Sequence, residues 1–254
     1  MFNFFVDPAA RQGDCYIISG NDYNHIVNVL RMKKGDEFLV SCDEKSALCR
    51  LDNISCDSVF AEIIEENFKT AELPIKIYLF QALPKSDKME LIIQKCVELG
   101  VYSIIPTQMN RCVVKLDSKK KKSKLERWQS IAESAAKQSK RNIIPKVDDV
   151  LTYKEALSKI KELDLFLVPY ENEMGMTATK NALEKIKPGM SIGILIGPEG
   201  GFDDKEISEA IKAGASAVSL GRRILRTETA AITATAMCML HTEMNVGELN
   251  ETAT

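Results

Sequence analysis

Residues 75–106 read IKIYLFQALPKSDKMELIIQKCVELGVYSIIP, and this stretch decides the fold class. Ile75–Ala82 is a continuous apolar-rich run of strand length, the pattern of a strand buried on both faces. A helix with start and stop signals follows. Asp87 and Glu90 have capping-box spacing, apolar side chains recur at Met89, Ile92, Ile93, Cys96 and Val97, and Gly100 stands where a C-cap glycine belongs. Ser103–Pro106 supplies the next strand. Strand, helix and strand in this order make a βαβ unit, with parallel pairing and a right-handed crossover expected.

The alternation continues downstream. A helix is expected from about Leu125 to Ser139, and a second capping box, Thr152 with Glu155, opens another that leads to the strand Leu165–Val168. Ser191–Ile196 is a further strand. Asp203 and Glu206 form a third box, with Phe202 and Ile207 spaced as a hydrophobic staple and Gly214 as the stop. Ala217–Leu220 reads as the last strand and Glu228–Glu243 as the last helix. Upstream, short apolar runs at Phe4–Val6, Cys15–Ile18, Glu37–Ser41, Ala47–Leu51 and Val59–Ile64 are separated by Gly, Asp and Asn, with one helix at about Asp22–Arg31. The chain turns polar at Glu65–Leu73 before Pro74, which places a boundary there. A β-rich unit at 1–72 and an α/β unit with a mostly parallel sheet at 73–248 are expected.

The 254 residues are 45% apolar and 28% charged, as in a globular protein with a real core. No run approaches the roughly 18 apolar residues of a membrane span. The N-terminus reaches Asp7 without a basic segment, so a secretory signal is not expected and the cytoplasm is. The seven cysteines contain no C-x-x-C pair. Cys42, Cys49 and Cys56 are evenly spaced but have no histidine to complete a tetrahedral set, so neither a disulfide framework nor a metal is expected. The net charge of −2 conceals a segregation. Residues 1–70 hold 7 basic and 12 acidic side chains, a balance of −5, whereas 111–146 hold 12 and 3, a balance of +9. Such a basic block suits phosphate binding; for Lys119–Lys122 alone, a solvated loop is an equal reading.

Three strand ends carry the chemistry: Val168-Pro169-Tyr170-Glu171, Ile196-Gly197-Pro198-Glu199-Gly200-Gly201-Phe202, and Leu220-Gly221-Arg222-Arg223-Ile224-Leu225-Arg226-Thr227-Glu228. Ligands of open α/β sheets sit outside the carboxyl ends of strands, where glycine lets backbone approach a ligand closely. The glycine loop is neither a P-loop nor a dinucleotide fingerprint, and the Pro84-Lys85-Ser86 junction has no glycine, so a nicotinamide is disfavoured. Gly189-Met-Ser191-Ile-Gly193 matches the hydrolase elbow, yet Ser191 opens a strand instead of following one. Arg222, Arg223 and Arg226 admit a plain reading as solvent-facing loop side chains. Thr227 can cap the following helix, with Glu228 facing its dipole. Ala230, Ala231, Ala234 and Ala236 on that helix read as core packing or as a dimer surface.

The motifs Ile196–Phe202 and Leu220–Ala230 together closely resemble those of the RsmE-like 16S ribosomal RNA uridine N3-methyltransferases, of the SPOUT class. Further matches run from residue 2 to about 243: His25 with Val29-Leu30-Arg31 and Gly35-Asp36, Leu83-Pro84-Lys85, Glu98-Leu99-Gly100, Arg111 with Val113 and Lys115, and Arg127-Trp128 with Gln138, Ser139 and Arg141. The resemblance implies a PUA-like β-barrel before a trefoil-knotted α/β domain that works as a homodimer on RNA of the small ribosomal subunit. It implies S-adenosylmethionine held by Val168, Pro169, Ile196, Gly197, Pro198, Gly200, Gly201, Leu220, Gly221, Ile224, Leu225, Thr227 and Ala230. RNA contacts are expected from Arg31, Lys85, Arg111, Lys115, Arg127, Gln138, Arg141, Arg222 and Arg223. One departure stands out: the family often carries an arginine just before the Phe-Val pair, where this chain has Asn3.

Methyl transfer to N3 of uridine requires loss of an imide proton and an unpaired or flipped base, because N3 lies on the Watson–Crick edge. Arg226 is the expected stabiliser of the developing negative charge; Glu199 either accepts the proton or orients its loop. Trp128 reads as packing before base stacking, and His25 as structural. The rival readings are a knotted methyltransferase acting on a ribose hydroxyl or guanine, and a non-catalytic RNA-binding assembly factor.

Overall fold

The structure, a computed structural model, describes residues 1–251 except Lys69 and Met174, without the side chains of Ser118 or of residues beyond 245. The chain divides into two compact units, Met1–Glu72 with Ala136–Ile144, and Leu73–Ala135 with Pro145–Thr254.

In the first unit β1 (Asn3–Phe5), β2 (Arg11–Gln12), β3 (Cys15–Ser19), β4 (Glu37–Cys42), β5 (Lys45–Ile54) and β6 (Ser58–Glu66) form one sheet in the order β1-β4-β5-β6-β3-β2. All pairings are antiparallel except β1 with β4. Alternate residues face the core: Phe38 and Val40 on β4, Ala47, Cys49 and Leu51 on β5, Val59 and Ala61 on β6. This period-2 pattern made the strands legible. Register shifts between Leu48 and Cys49 and between Leu51 and Asn53 curve the long β5–β6 pair. The expected helix has two parts, α1 (Gly20–Asn24) and a π-turn over His25–Val29 that sets Ile26 into the core. His25 packs edge-on against Phe4 at 6.0 Å.

Position 3 is structural in this chain. Asn3 is buried; its amide donates to the Arg141 carbonyl (2.8 Å) and its Oδ1 accepts from the Ser41 hydroxyl (3.0 Å). Arg141 itself corrects an expectation. Its side chain is 2% exposed and its guanidinium grips the Glu72 carboxylate, which also accepts the Asn142 and Ile143 amides (2.8 and 3.1 Å). A guanidinium buried this far and paired to a carboxylate is out of reach of a phosphate.

In the second unit the described residues form one seven-stranded sheet of β7 (Lys76–Ala82), β8 (Ser103–Gln108), β9 (Lys146–Val147), β10 (Leu151–Thr152), β11 (Leu165–Pro169), β12 (Ser191–Ile196) and β13 (Ser216–Val218). The order is β10-β8-β7-β12-β11-β13, with β9 on β8, and every pairing is parallel. The helices are α2 (Lys88–Glu98), α3 (Ser118–Ser139), α4 (Tyr153–Ser158), α5 (Thr177–Leu183), α6 (Asp204–Ala213) and α7 (Thr227–Glu251). The chain steps from β7 to β8 in one direction, while β12, β11 and β13 lie on the other side of β7. α7 packs on α2, β7 and β12, and its Ala231, Ala234 and Cys238 are buried, so that part of its small-residue face is core.

Two of the three expected capping boxes form, at Thr152–Glu155 and Asp203–Glu206, and Gly214 closes α6 in the left-handed conformation. The Asp87–Glu90 box does not. Asp87 has φ −90° and ψ 10°, not the extended backbone of a capping residue, and its side chain makes no cap bond; Glu90 pairs with Arg127 at 2.8 Å instead. α3 starts at Ser118, so Lys119–Lys122 are helical, with the Lys120 amide donating to Asp117 (2.8 Å). The last strand is Ser216–Val218; Ser219 and Leu220 belong to the loop. α5 was not anticipated.

Arg141→Met strips the paired cation from Glu72 and is expected to cost about 3–5 kcal/mol in urea unfolding. RNA affinity of the folded variant is expected to match wild type.

Candidate active site

A cavity of about 410 Å³ opens beyond the C-terminal ends of β11, β12 and β13. Its walls are Pro169–Glu171, the glycine loop from Ile196 to Phe202 apart from Gly200, and Ser219–Thr227, with Lys88 and Ala230 completing them. Buried hydroxyls hold the loops in place. Thr179 of α5 donates to the Ser219 carbonyl (2.8 Å) and accepts the Ser219 amide (2.9 Å). Thr227, expected as a helix cap, is the first residue of α7 and donates its hydroxyl to the Gly197 carbonyl (2.7 Å). Gln81, fully buried at the end of β7, donates to Thr227 Oγ1 (3.0 Å) and to the Ala82 carbonyl (2.9 Å). Gly197 fits because a Cβ there would lie 3.0 Å from the Phe202 ring, and Gly221 because its φ is +105°.

An ionic group reaches the wall through Lys88 and Glu199. Lys88 Nζ lies 3.3 Å from Glu199 and 3.1 Å from Glu228, and the Lys85 amide donates to Glu199 Oε1 (3.0 Å). Desolvation acts to raise the Glu199 carboxyl, but the bonds from the Lys85 amide and from Glu199's own backbone, together with Lys88, outweigh it and hold it below the usual carboxylate range. Desolvation likewise opposes the charge on Lys88, and its bonds to Glu228 and Glu199 raise it nonetheless. Arg222, Arg223 and Arg226 line the cavity from exposed positions, and no ion pair engages them among the described residues.

The cavity gathers both expected catalytic residues and eleven of the thirteen expected cofactor residues. Val168 and Gly200 are the exceptions. Val168 is buried in the sheet, and Gly200 faces away, with Arg111 Cβ 3.3 Å from where its own Cβ would stand. Of the expected RNA contacts, Arg222 and Arg223 join the cavity wall. Arg111 donates to the Gly200 carbonyl (3.0 Å), Arg127 pairs with Glu90, and Arg31, Lys85, Lys115 and Gln138 are exposed. Trp128 is 4% exposed and packs internally, which leaves no ring face for a base. Sequence reading assigned no ligand contact to Lys88, Tyr170, Glu171, Phe202 or Ser219, and missed Gln81 and Thr179 as supports. Ser191 opens β12 and donates to Asp164 (2.7 Å), far from an elbow geometry.

A family model described as an RNA methyltransferase domain matches residues 71–239, and an RNA methyltransferase PUA domain matches 18–64. The chain is 40% identical to ribosomal RNA small subunit methyltransferase E of Bacillus subtilis over 98% of its length and 100% of that protein. It is similar to the structure of ribosomal RNA small subunit methyltransferase E from Neisseria gonorrhoeae bound to S-adenosyl methionine, with 34% identity, TM-score 0.78, and 93% and 95% of the two chains covered. A Legionella pneumophila methyltransferase in complex with the bound cofactor SAM gives 31% identity and TM-score 0.79 over 94% and 97%.

Thr227→Val removes the hydroxyl donor to the Gly197 carbonyl and one of the two acceptors of the Gln81 amide in a buried site. It is expected to cost about 1–3 kcal/mol, read as a shifted urea midpoint by circular dichroism at unchanged slope.

Proposed function

The chain belongs to the RNA methyltransferase family of ribosomal RNA small subunit methyltransferase E, and from that premise we propose that it methylates N3 of a uridine in 16S ribosomal RNA, using S-adenosylmethionine. The observation that carries the reading is the cavity itself. Three loops at parallel strand ends enclose a space in the roughly 300–1,000 Å³ range of small-molecule sites, and it is lined by arginines that pair with no acid among the described residues. The donor set fits the cofactor: apolar Pro169, Ile196, Leu220 and Leu225 offer a slot for a flat base, and Gly197, Gly201 and Gly221 leave backbone groups accessible. Ile224, Pro198, Thr227 and Ala230 complete its contacts.

Bound S-adenosylmethionine supplies an electrophilic methyl group on a sulfonium. The protein's work is positioning, exclusion of water and charge stabilisation. Arg226, with no carboxylate partner among the described residues, faces the charge that develops on the uracil oxygens as the N3 proton leaves. Glu199 is engaged by the Lys85 amide and Lys88 and is a weak base, so it orients the glycine loop and the proton passes to solvent. Arg222, Arg223 and Lys115 hold phosphates around the flipped nucleotide, and exposed Arg31 and Gln138 extend the footprint.

The same reading includes a homodimer, a trefoil knot and action in the cytoplasm. Exposed Leu91, Leu240 and Met244 on α2 and α7 support self-association. The return of the chain from edge strand β13 to α7, gripped at Thr227 by the loop after β12, supports a knotted path. No helix of the described residues is long and apolar enough to cross a membrane.

Calorimetry is expected to detect S-adenosylmethionine binding to wild type and not to folded Leu220→Trp, whose indole fills the slot. Nucleoside mass spectrometry of small-subunit RNA is expected to find 3-methyluridine; another methylated nucleoside, or none, overturns the reaction as stated. Arg226→Ala is expected to keep cofactor affinity and to lose about 10²–10³ in kcat.

A further inference from the structure

We propose that Glu199 and Lys88, which line the cavity, form with Glu228 a charge-discriminating cluster that holds the cationic methyl donor in preference to its neutral demethylated product. This rests on the assignment of the cavity to S-adenosylmethionine.

The cluster joins three elements. Glu199 comes from the loop after β12, Lys88 from the first turn of α2 and Glu228 from the first turn of α7. Both acids contact the one ammonium, at 3.3 and 3.1 Å, so two carboxylates and one lysine leave a net charge of −1. The side chains of Lys88, Glu199 and Glu228 are 27%, 24% and 15% exposed. Arg222, Arg223, Arg226 and Glu171 also line the cavity, but from exposed positions where water and salt screen them. The cluster's excess charge therefore acts on a bound molecule through the less polarisable side of the site.

Lys88 also explains how two acids stand so close to a site that must receive RNA. Without it, Glu199 and Glu228 would repel each other and the incoming phosphates. With it, one negative charge remains, enough to oppose a single sulfonium. Donor and product share the same amino-acid and nucleoside groups and differ in the methyl and the positive charge on sulfur. Transfer of the methyl to nitrogen breaks the sulfur–carbon bond, returns its electron pair to sulfur and ends the attraction to the cluster. The wall thus favours the reactant over the product and speeds its replacement.

The test is calorimetric, with S-adenosylmethionine and S-adenosylhomocysteine as the two probes on the full chain. The quantity read is the ratio of the product Kd to the donor Kd. Glu199→Gln keeps an acceptor for the Lys85 amide and brings the cluster to zero; the ratio is expected to fall roughly three- to ten-fold. Lys88→Met brings it to −2 and is expected to raise the ratio. Should Lys88→Met fail to fold, Glu228→Gln takes its place, with the ratio expected to fall. Parallel changes in both affinities at constant ratio, as expected if Lys88 merely binds the carboxylate common to both ligands, overturn the proposal and leave the cofactor assignment standing. Binding of neither probe to folded wild type sinks the assignment and the proposal with it.

Discussion

One hydroxyl ties the site together. The Thr227 side chain donates to the Gly197 carbonyl and receives the Gln81 amide, which joins the end of the central strand, the glycine loop and the start of α7 at one buried point. The strand is still paired at Gln81 with Ile196 and Pro106, whereas the other two segments have no sheet partner at that level. The glycine loop has left the sheet, α7 has just begun, and β7 is ending. Without the tie, the glycine loop and the start of α7 lose their direct hydrogen-bonded link. A buried hydroxyl with both a donor and an acceptor satisfied fixes geometry more tightly than apolar packing, because a small shift breaks two directional bonds.

The second unit repeats this device. Thr179 makes a two-way bond to Ser219 and so sets the start of the arginine loop. Glu206, buried to 2%, accepts the amides of Asp203 and Asn110 and so links the head of α6 to the turn after β8. Buried polar groups serve as connectors between a rigid parallel sheet and the loops above it. The arginines at the cavity mouth are left outside this network, and charges without fixed partners remain available to a polyanion.

Much of this was legible in the sequence. Strands buried on both faces wrote themselves as Ile75–Ala82 and Ser191–Ile196, and alternation marked the strands of the first unit. The loop motifs led to the cavity because glycine and arginine after a strand have few purely structural uses. The supports were hidden. Gln81 lies inside an apolar run and Thr179 in a short polar helix, and only the fold shows that each meets a residue 146 or 40 positions away. Charge was the least faithful guide. Arg141 reads as a phosphate ligand, yet it is buried on Glu72, and Arg127, still exposed, meets Glu90; pairing across such distances leaves no local pattern. Asp87 had the right spacing for a cap but the wrong backbone angles, which spacing does not encode.

Trp128 is the single tryptophan of the chain, buried to 4% on α3 within the second unit, with no partner for its indole nitrogen among the described residues. The molecule therefore carries a native optical label. Its ultraviolet emission is expected at short wavelength, from a buried indole on one side of the unit division alone. Loss of that blue-shifted signal dates the opening of the methyltransferase unit, while the six tyrosines, spread over both units, report on the chain as a whole. Comparing the two emissions separates concerted melting from stepwise melting without any added probe.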